Sequence, residues 1–198
     1  VTLSLLKKTD EYTYAHSVNV TIFAVAFAHF LGMPVDRLHS VGLAGLLHDY
    51  GKALIPHEIL TAPRSLTFQE VETMRGHVQL GVEKIKQFSS VDQETIEGIE
   101  QHHEKHNGTG YPYRLSGKQI GVIGRILSLS DVYDALSSKR VYKGALPPNK
   151  ALGMMYKMRG QAWAPGYVER FIKMVGIFPV GTAVELSNEH RGIVCRSN

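Results

Sequence analysis

One cysteine, Cys195, stands in 198 residues. An internal disulfide is therefore excluded, and a reducing compartment, the cytoplasm, fits best. Long apolar runs are missing too. The longest, residues 18–31, has 14 residues and carries Asn19, Thr21 and His29, short of the roughly 20 apolar residues of a membrane-crossing helix. We read it as a buried core helix and expect no membrane span in this chain. No signal-peptide pattern is visible in these residues, and there is no internal repeat, no low-complexity linker and no run of Lys or Arg long enough for a nucleic-acid arm, so a nucleic acid polymer is not expected as a partner. The net charge of +4, from 22 basic and 18 acidic residues, is compatible with an anionic ligand without demanding one. The chain opens on Val1, almost directly on a helical pattern, and is expected to be a piece of a longer protein.

What is present reads as helices punctuated by Gly and Pro. Helical patterns cover about 11–31, ending at Gly32-Met33-Pro34, and about 36–49, with Asp36 as N-cap and Gly51 as the stop. A short turn follows near 56–60. Thr67-Phe68-Gln69-Glu70 has the form of a capping box opening a helix to about Gln87. Further helices are expected over about 92–104, from Ser116 or Gln119 to Ser138, over 148–159 and over 167–175. The tail changes period: residues 182–186 alternate and 192–195 can pair with them as a β-ribbon. The fold class is all-α, a helical bundle with a small C-terminal β-ribbon.

Ten histidines are the unusual feature. Any one of them alone is more often a surface or hydrogen-bonded residue than a ligand; the pattern is what matters. His48-Asp49 closes an apolar helix just before Gly51-Lys52, and a carboxylate beside an imidazole offers the mixed oxygen and nitrogen ligands that suit Fe, Mn or Zn. His102-His103 forms a second doublet at a helix end. Adjacent helical residues point about 100° apart, so both reach one site only across two metals or where the helix frays. Asp131 and Asp134 share a face of a helix whose other positions are apolar, and a buried carboxylate needs a cation or several donors. His16 and His77 lie within helical patterns and can point inward.

These residues match a known family. His48-Asp49-Tyr50-Gly51-Lys52 resembles the HD-x-G-K element of HD-superfamily phosphohydrolases. His102-His103-Glu104 followed by Asn107-Gly108-Thr109-Gly110-Tyr111-Pro112 resembles the HHE…GYP signature of the HD-GYP subfamily. Leu66-Thr67-x-x-Glu70 with His77, and Asp131-Val132-Tyr133-Asp134-Ala135-Leu136 with Arg140-Val141-Tyr142, are similar to two further stretches of that subfamily. The resemblance runs from about Tyr12 to Gly181. It implies a helical bundle that opens cyclic di-GMP to linear pGpG, and on to GMP, in bacterial second-messenger signalling. It implies two divalent metals, Fe or Mn, held by His16, His48, Asp49, His77, His102, His103 and Asp131, with Asp49 bridging. It implies catalytic roles for Asp49 and Lys52, substrate contacts from Lys52 and Arg140, and a Gly110-Tyr111-Pro112 loop that shapes the site or meets a signalling partner. Residues 1–180 are then the catalytic domain and 181–198 a β tail, the start of a C-terminal appendix.

Two departures stand out. Relatives with a third metal carry a glutamate four residues before the first histidine, where this chain has Tyr12; Glu11 lies about 100° round the helix and does not substitute. Asn107 replaces a common Asp. Paired metals suit the reaction because a phosphodiester resists a weak water nucleophile and its transition state is highly charged, and Lys52 and Arg140 add fixed positive charge where negative charge develops. Arg140, nine residues after Asp131, reaches the same site only if the helix ends or bends near Ser137-Ser138. Asp134 is placed to orient a ligand. The rival readings are an HD hydrolase of another nucleotide such as cyclic GMP-AMP, a non-catalytic cyclic dinucleotide-binding module, a metal oxygenase, or a purely structural helical domain.

Overall fold

The computed structural model describes residues 11–138 and 144–196. The first helix, α1, spans Glu11–Phe30, and α2 spans Val35–Leu47. Val20, Ala24, Phe27 and Ala28 of α1 are fully buried, as are Val41 and Ala44 of α2. Small residues set the approach of this pair: a Cβ at Gly45 would stand 2.9 Å from Thr21 Cα. Asp36 does not cap α2; the N-cap position is Pro34, with no side-chain cap, and Asp36 lies in the first turn. Its charge there still favours the helix through the macrodipole.

After His48-Asp49 the chain tightens into a 3₁₀ helix, Tyr50–Leu54, then forms α3, His57–Leu60, α4, Phe68–Arg75, and α5, His77–Ile85. The capping box at Thr67 is fully made: the Thr67 hydroxyl accepts from Glu70 N and the Glu70 carboxylate accepts from Thr67 N. The single helix expected to reach Gln87 is broken at Gly76, which ends α4 and opens α5; glycine is the residue least committed to a continuous helix. Gly51 is not a left-handed stop. Its role is contact: a Cβ there would lie 1.8 Å from His77 O and 2.7 Å from Gly81 N. The backbone of the 3₁₀ helix thus lies directly on α5.

Gly51→Ala is therefore expected to push α5 off the 3₁₀ helix. Overpacking of this kind costs on the order of 1–3 kcal/mol, and His77 should shift with the backbone. Urea unfolding checks this; an unchanged midpoint would show that the two backbones part without cost.

The rest of the bundle is α6, Gln93–Gln101, α7, Val122–Ser137, α8, Pro148–Lys157, and α9, Tyr167–Val175. Asp92 caps α6 by accepting from Thr95 N. The helix expected from Ser116 is divided, a 3₁₀ turn at Gly117–Gln119 preceding α7. Helix α7 is the central element. Ile123, Ile126, Leu127 and Leu129 are buried, each such side chain contributing about 1.5–3 kcal/mol on burial, and α1 and α6 pack against it. It ends at Ser137, and Ser138 is extended, so the bend that the Asp131–Arg140 spacing requires is present. Arg140 itself lies outside the described residues. Strands β1, Ala183–Glu185, and β2, Arg191–Ile193, pair antiparallel with Val184 opposite Gly192. The result is a helical bundle with a small two-stranded ribbon. No helix among the described residues is long and apolar enough to cross a membrane.

Candidate metal centre

Five segments bring their polar side chains to one place. His16 comes from the middle of α1, His48 and Asp49 from the end of α2, His77 from the start of α5, His102 and His103 from just beyond α6, and Asp131 from α7. All are buried except His103, which is half-buried. One atom each from Asp49, His77, His102 and His103 lie within 4.8 Å of one another, and one each from His16, His48 and Asp49 do the same. Asp49 belongs to both groups. Its Oδ1 is 3.4 Å from His77 Nε2, while its Oδ2 is 3.3 Å from His48 Nε2 and 3.6 Å from His16 Nε2. The two oxygens of one carboxylate thus face two neighbouring ligand groups. Asp131 spans them from the other side, with Oδ1 3.1 Å from His16 Nε2 and Oδ2 3.8 Å from His103 Nδ1.

The backbone orients the imidazoles. Nδ1 of His48, His77 and His102 lies 2.7, 2.7 and 2.6 Å from the carbonyls of Gly45, Met74 and Ile99. A carbonyl only accepts, so each Nδ1 carries the proton and donates it. The lone pair is left on Nε2, and in all three residues that Nε2 is buried with no hydrogen-bond partner. Three orphaned acceptors in one core are costly; a metal ion satisfies all three, and an outer hydrogen bond to the other ring nitrogen is the usual companion of a metal-bound histidine. His16 uses a carboxylate instead. Its Nδ1 is 2.6 Å from Asp134 Oδ2, and Asp134 also accepts from Asn19 Nδ2 at 2.9 Å and Ser138 Oγ at 2.6 Å. The doublet His102-His103 resolves through the helix end: α6 stops at Gln101, His102 is its C-cap, and both rings reach the same group.

Ligands must be deprotonated, and Asp49, Asp131, His102 and His103 are shifted in that direction while His16 is not. Burial works against ionising Asp49, but the positive charge that faces it, Lys52 Nζ at 2.6 Å from Oδ2 included, outweighs it and holds Asp49 well below the usual carboxylate range. Asp131 is likewise held low, with burial overcome by its bond to His16. Burial, together with neighbouring imidazoles, keeps His102 neutral, and burial brings His103 down to about 3. His16 goes the other way. Burial lowers it, but Asp131 and Asp134 on its two nitrogens carry it up to about 9.

Lys52 follows His48 by four residues, which a continued α-helix would place one turn on. The chain is 3₁₀ there, where residues three apart eclipse, so Lys52 stands over Asp49 instead, with Nζ 2.6 Å from Asp49 Oδ2. It lines a cleft of about 480 Å³ together with His16, His77, His103, Tyr111 and Asp131, closed on other sides by Leu60, Met74, Val132 and Leu136.

The loop after His103 is tied to the doublet. A Cβ at Gly110 would lie 2.4 Å from Lys105 N and 2.6 Å from His103 O, and Tyr111 N donates to His103 O at 3.2 Å. The Tyr111 ring stacks on His103 with centroids 4.6 Å apart, and the Tyr111-Pro112 peptide is cis. Glu104, to which the sequence reading gave no role, is the anchor. Its buried carboxylate accepts from Tyr113 N at 2.7 Å and Leu115 N at 3.0 Å. Its place directly after the doublet was the available signal.

A family model described as HD domain matches residues 1–165. The chain is 39% identical over 194 residues to cyclic di-GMP phosphodiesterase PA4108 of Pseudomonas aeruginosa, covering 98% of this chain and 47% of the relative. It is 35% identical to 3′3′-cGAMP-specific phosphodiesterase 2 of Vibrio cholerae, covering 81% and 31%. It therefore spans about half or less of the length of these relatives. Among solved structures, Bd1817, an HDG"Y"P protein from Bdellovibrio bacteriovorus, superposes with a TM-score of 0.64 at 23% identity, covering 80% of this chain and 51% of that one. The HD domain of Listeria monocytogenes phosphodiesterase PgpH in complex with cyclic-di-AMP gives 0.64 at 18% identity, covering 87% and 92%. Both likenesses speak for the fold.

Proposed function

We propose that this chain, which belongs to the HD-domain family, is a metal-dependent phosphodiesterase domain that opens cyclic di-GMP to linear pGpG, with GMP as the further product. The observation that carries the reading is the pair of His/Asp groups joined at Asp49 and opening on a cleft that also holds Lys52. In this reading His16, His48, Asp49 and Asp131 would hold one divalent ion, and Asp49, His77, His102 and His103 would hold the other, iron or manganese in each case. Paired ions supply Lewis acidity to a phosphoryl oxygen and to the attacking water.

The chain's own residues do the rest. The carbonyls of Gly45, Met74 and Ile99 and the carboxylate of Asp134 fix the four ring orientations. Lys52 places an ammonium at the cleft wall, where charge on the phosphate increases during attack. Tyr111, packed on His103, forms the wall beside the substrate, and Leu60, Met74 and Leu136 reduce the water in the cleft. The Gly110-Tyr111-Pro112 loop is also the proposed meeting point for a signalling protein.

The test is turnover of cyclic di-GMP and 3′3′-cyclic GMP-AMP by the metal-loaded protein, with products separated by chromatography. Preferential release of pGpG is expected. A clear preference for cyclic GMP-AMP would favour the second reading, which rests on the Vibrio cholerae relative, and absence of turnover by fully loaded protein would leave a binding module.

Protein purified without oxygen is expected to carry two metal equivalents per chain. Two ligand groups share Asp49, and Tyr12 stands where a third site would need a carboxylate. Elemental analysis giving three equivalents without added metal would refute this.

A further inference from the structure

Tyr111 is a wall shared by two clefts. The first holds the histidines; the second, about 500 Å³, is lined by Glu72, Arg75 and Gln79 of α4 and α5 and by Thr109, Tyr111 and Arg114 of the loop. No residue lining this second cleft belongs to the proposed metal site, and apart from the Gly110-Tyr111-Pro112 loop its lining has been given no task. Resting on the proposed function, we infer that it is a subsite for one guanine base of the substrate, the base across Tyr111 from the phosphate being cut.

The argument is one of chemical complementarity. A cyclic dinucleotide offers two phosphates and two purines, and the first cleft, at about 480 Å³, lies toward the small end of ligand sites. The second half of the molecule needs a surface continuous with the first, and Tyr111 is the residue common to both. Exposed bases are recognised by stacking on aromatic rings and guanidinium planes and by hydrogen bonds to their edges. The Arg75 guanidinium lies over the Tyr111 ring, its carbon 5.2 Å from the centroid, and His103 stacks on the same ring, so the plane offered to a base in this cleft is that of Arg75.

The charge pattern chooses the base over the second phosphate. Glu72 lines the same cleft and pairs with Arg75, its Oε1 2.6 Å from Arg75 Nη1. A carboxylate repels a phosphate. Guanine, by contrast, carries donors at N1 and N2 that suit a carboxylate and acceptors at O6 and N7 that suit an arginine. Adenine has no N2 amino donor, and its N1 is an acceptor, so it matches Glu72 poorly. Arg114, held at φ +56°, brings a second guanidinium to the rim, and the Gln79 amide offers both a donor and an acceptor.

The experiment uses the metal-loaded chain and measures cyclic di-GMP and cyclic di-AMP as competitors of bis(p-nitrophenyl) phosphate hydrolysis, which does not require that either be cleaved. The quantity read is the ratio of the two inhibition constants in the wild type, Glu72→Ala and Arg75→Ala. Both positions are exposed on a helix, where substitutions rarely disturb folding. Loss of one base-edge contact should move the ratio against cyclic di-GMP by on the order of tenfold in each variant. A parallel weakening of both competitors in Glu72→Ala, the variant that spares the stacking plane of Arg75, would mean that the cleft meets the phosphate or sugar, and overturns the inference, as does an unchanged cyclic di-GMP constant. If the wild type binds cyclic di-GMP and the ratio shifts as expected but no cleavage occurs, the reaction proposed above fails while the base subsite stands. If cyclic di-GMP is cleaved and neither variant moves the ratio, the subsite alone fails.

Discussion

Asp49→Ala is expected to abolish phosphodiester hydrolysis and to lower bound metal below two equivalents per chain. Asp49 is the one residue common to both ligand groups, with Oδ1 toward His77 and Oδ2 toward His48 and His16. No neighbour replaces it, because Asp131 lies across the site and is engaged by His16 at 3.1 Å. Loss of a partner outside the ligand set typically costs 10–100-fold in affinity or activity, so loss of a residue shared by both ions should exceed that on each measure. The substitution also removes the carboxylate that faces Lys52, His48 and His77 in the core, and stripping one partner from a buried charged cluster destabilises it. Asp49→Asn keeps the shape and separates the two effects: its thermal unfolding should stay closer to wild type while turnover remains lost. Near-normal metal and turnover in either variant would remove Asp49 from the centre of the site.

Much of this arrangement was legible in the sequence because it is local. The doublets His48-Asp49 and His102-His103 and the pair Asp131 and Asp134 are separated by one or three residues, and the structure brings both doublets and Asp131 into one buried cluster, with Asp134 behind it on His16. Asp131 and Asp134 approach opposite nitrogens of the same His16 ring, as two residues on one helix face are able to do. The helices were legible for the same reason: α9 falls on its expected residues, and the Thr67 capping box is made in full. What escaped the reading depends on close approach between distant segments. Gly51 looked like a stop because glycine ends helices, yet its position is fixed by the backbone of His77 and Gly81. Glu104 carried no legible role because its partners, Tyr113 N and Leu115 N, belong to a loop whose path no periodicity encodes. Lys52 lies four residues after His48, but a switch from α to 3₁₀ geometry, which leaves no mark in the pattern of apolar residues, turns it onto Asp49 three residues back.

That shift in phase gives Lys52→Ala its meaning. The expected result is a loss of turnover on the order of 10²–10³-fold, the usual effect of removing one preorganised charge from a transition state, with both metals and the fold retained. Protonated lysine has no lone pair and does not ligate a metal, so the metal content should not follow the activity. The side chain is one quarter exposed and lines the cleft with His16, His103 and Asp131, a position from which an ammonium reaches a bound phosphate. Its contact with Asp49 Oδ2 supplies a competing account, in which Lys52 neutralises the shared carboxylate and so supports the cluster. The two accounts separate on one preparation carrying both assays. Reduced turnover with two metals assigns Lys52 to the phosphate, and reduced turnover with fewer metals assigns it to Asp49. Turnover within about twofold of wild type, as for an ordinary surface substitution, would remove it from the reaction altogether. A Lys52→Arg variant sharpens the distinction. It keeps the charge but replaces a compact ammonium with a planar fork, and in the eclipsed 3₁₀ geometry that fork has to share the narrow space above Asp49. If Lys52 acts on the phosphate from the open side of the cleft, part of the rate should return; if it acts through Asp49, the larger group should disturb the carboxylate and metal content should fall with activity.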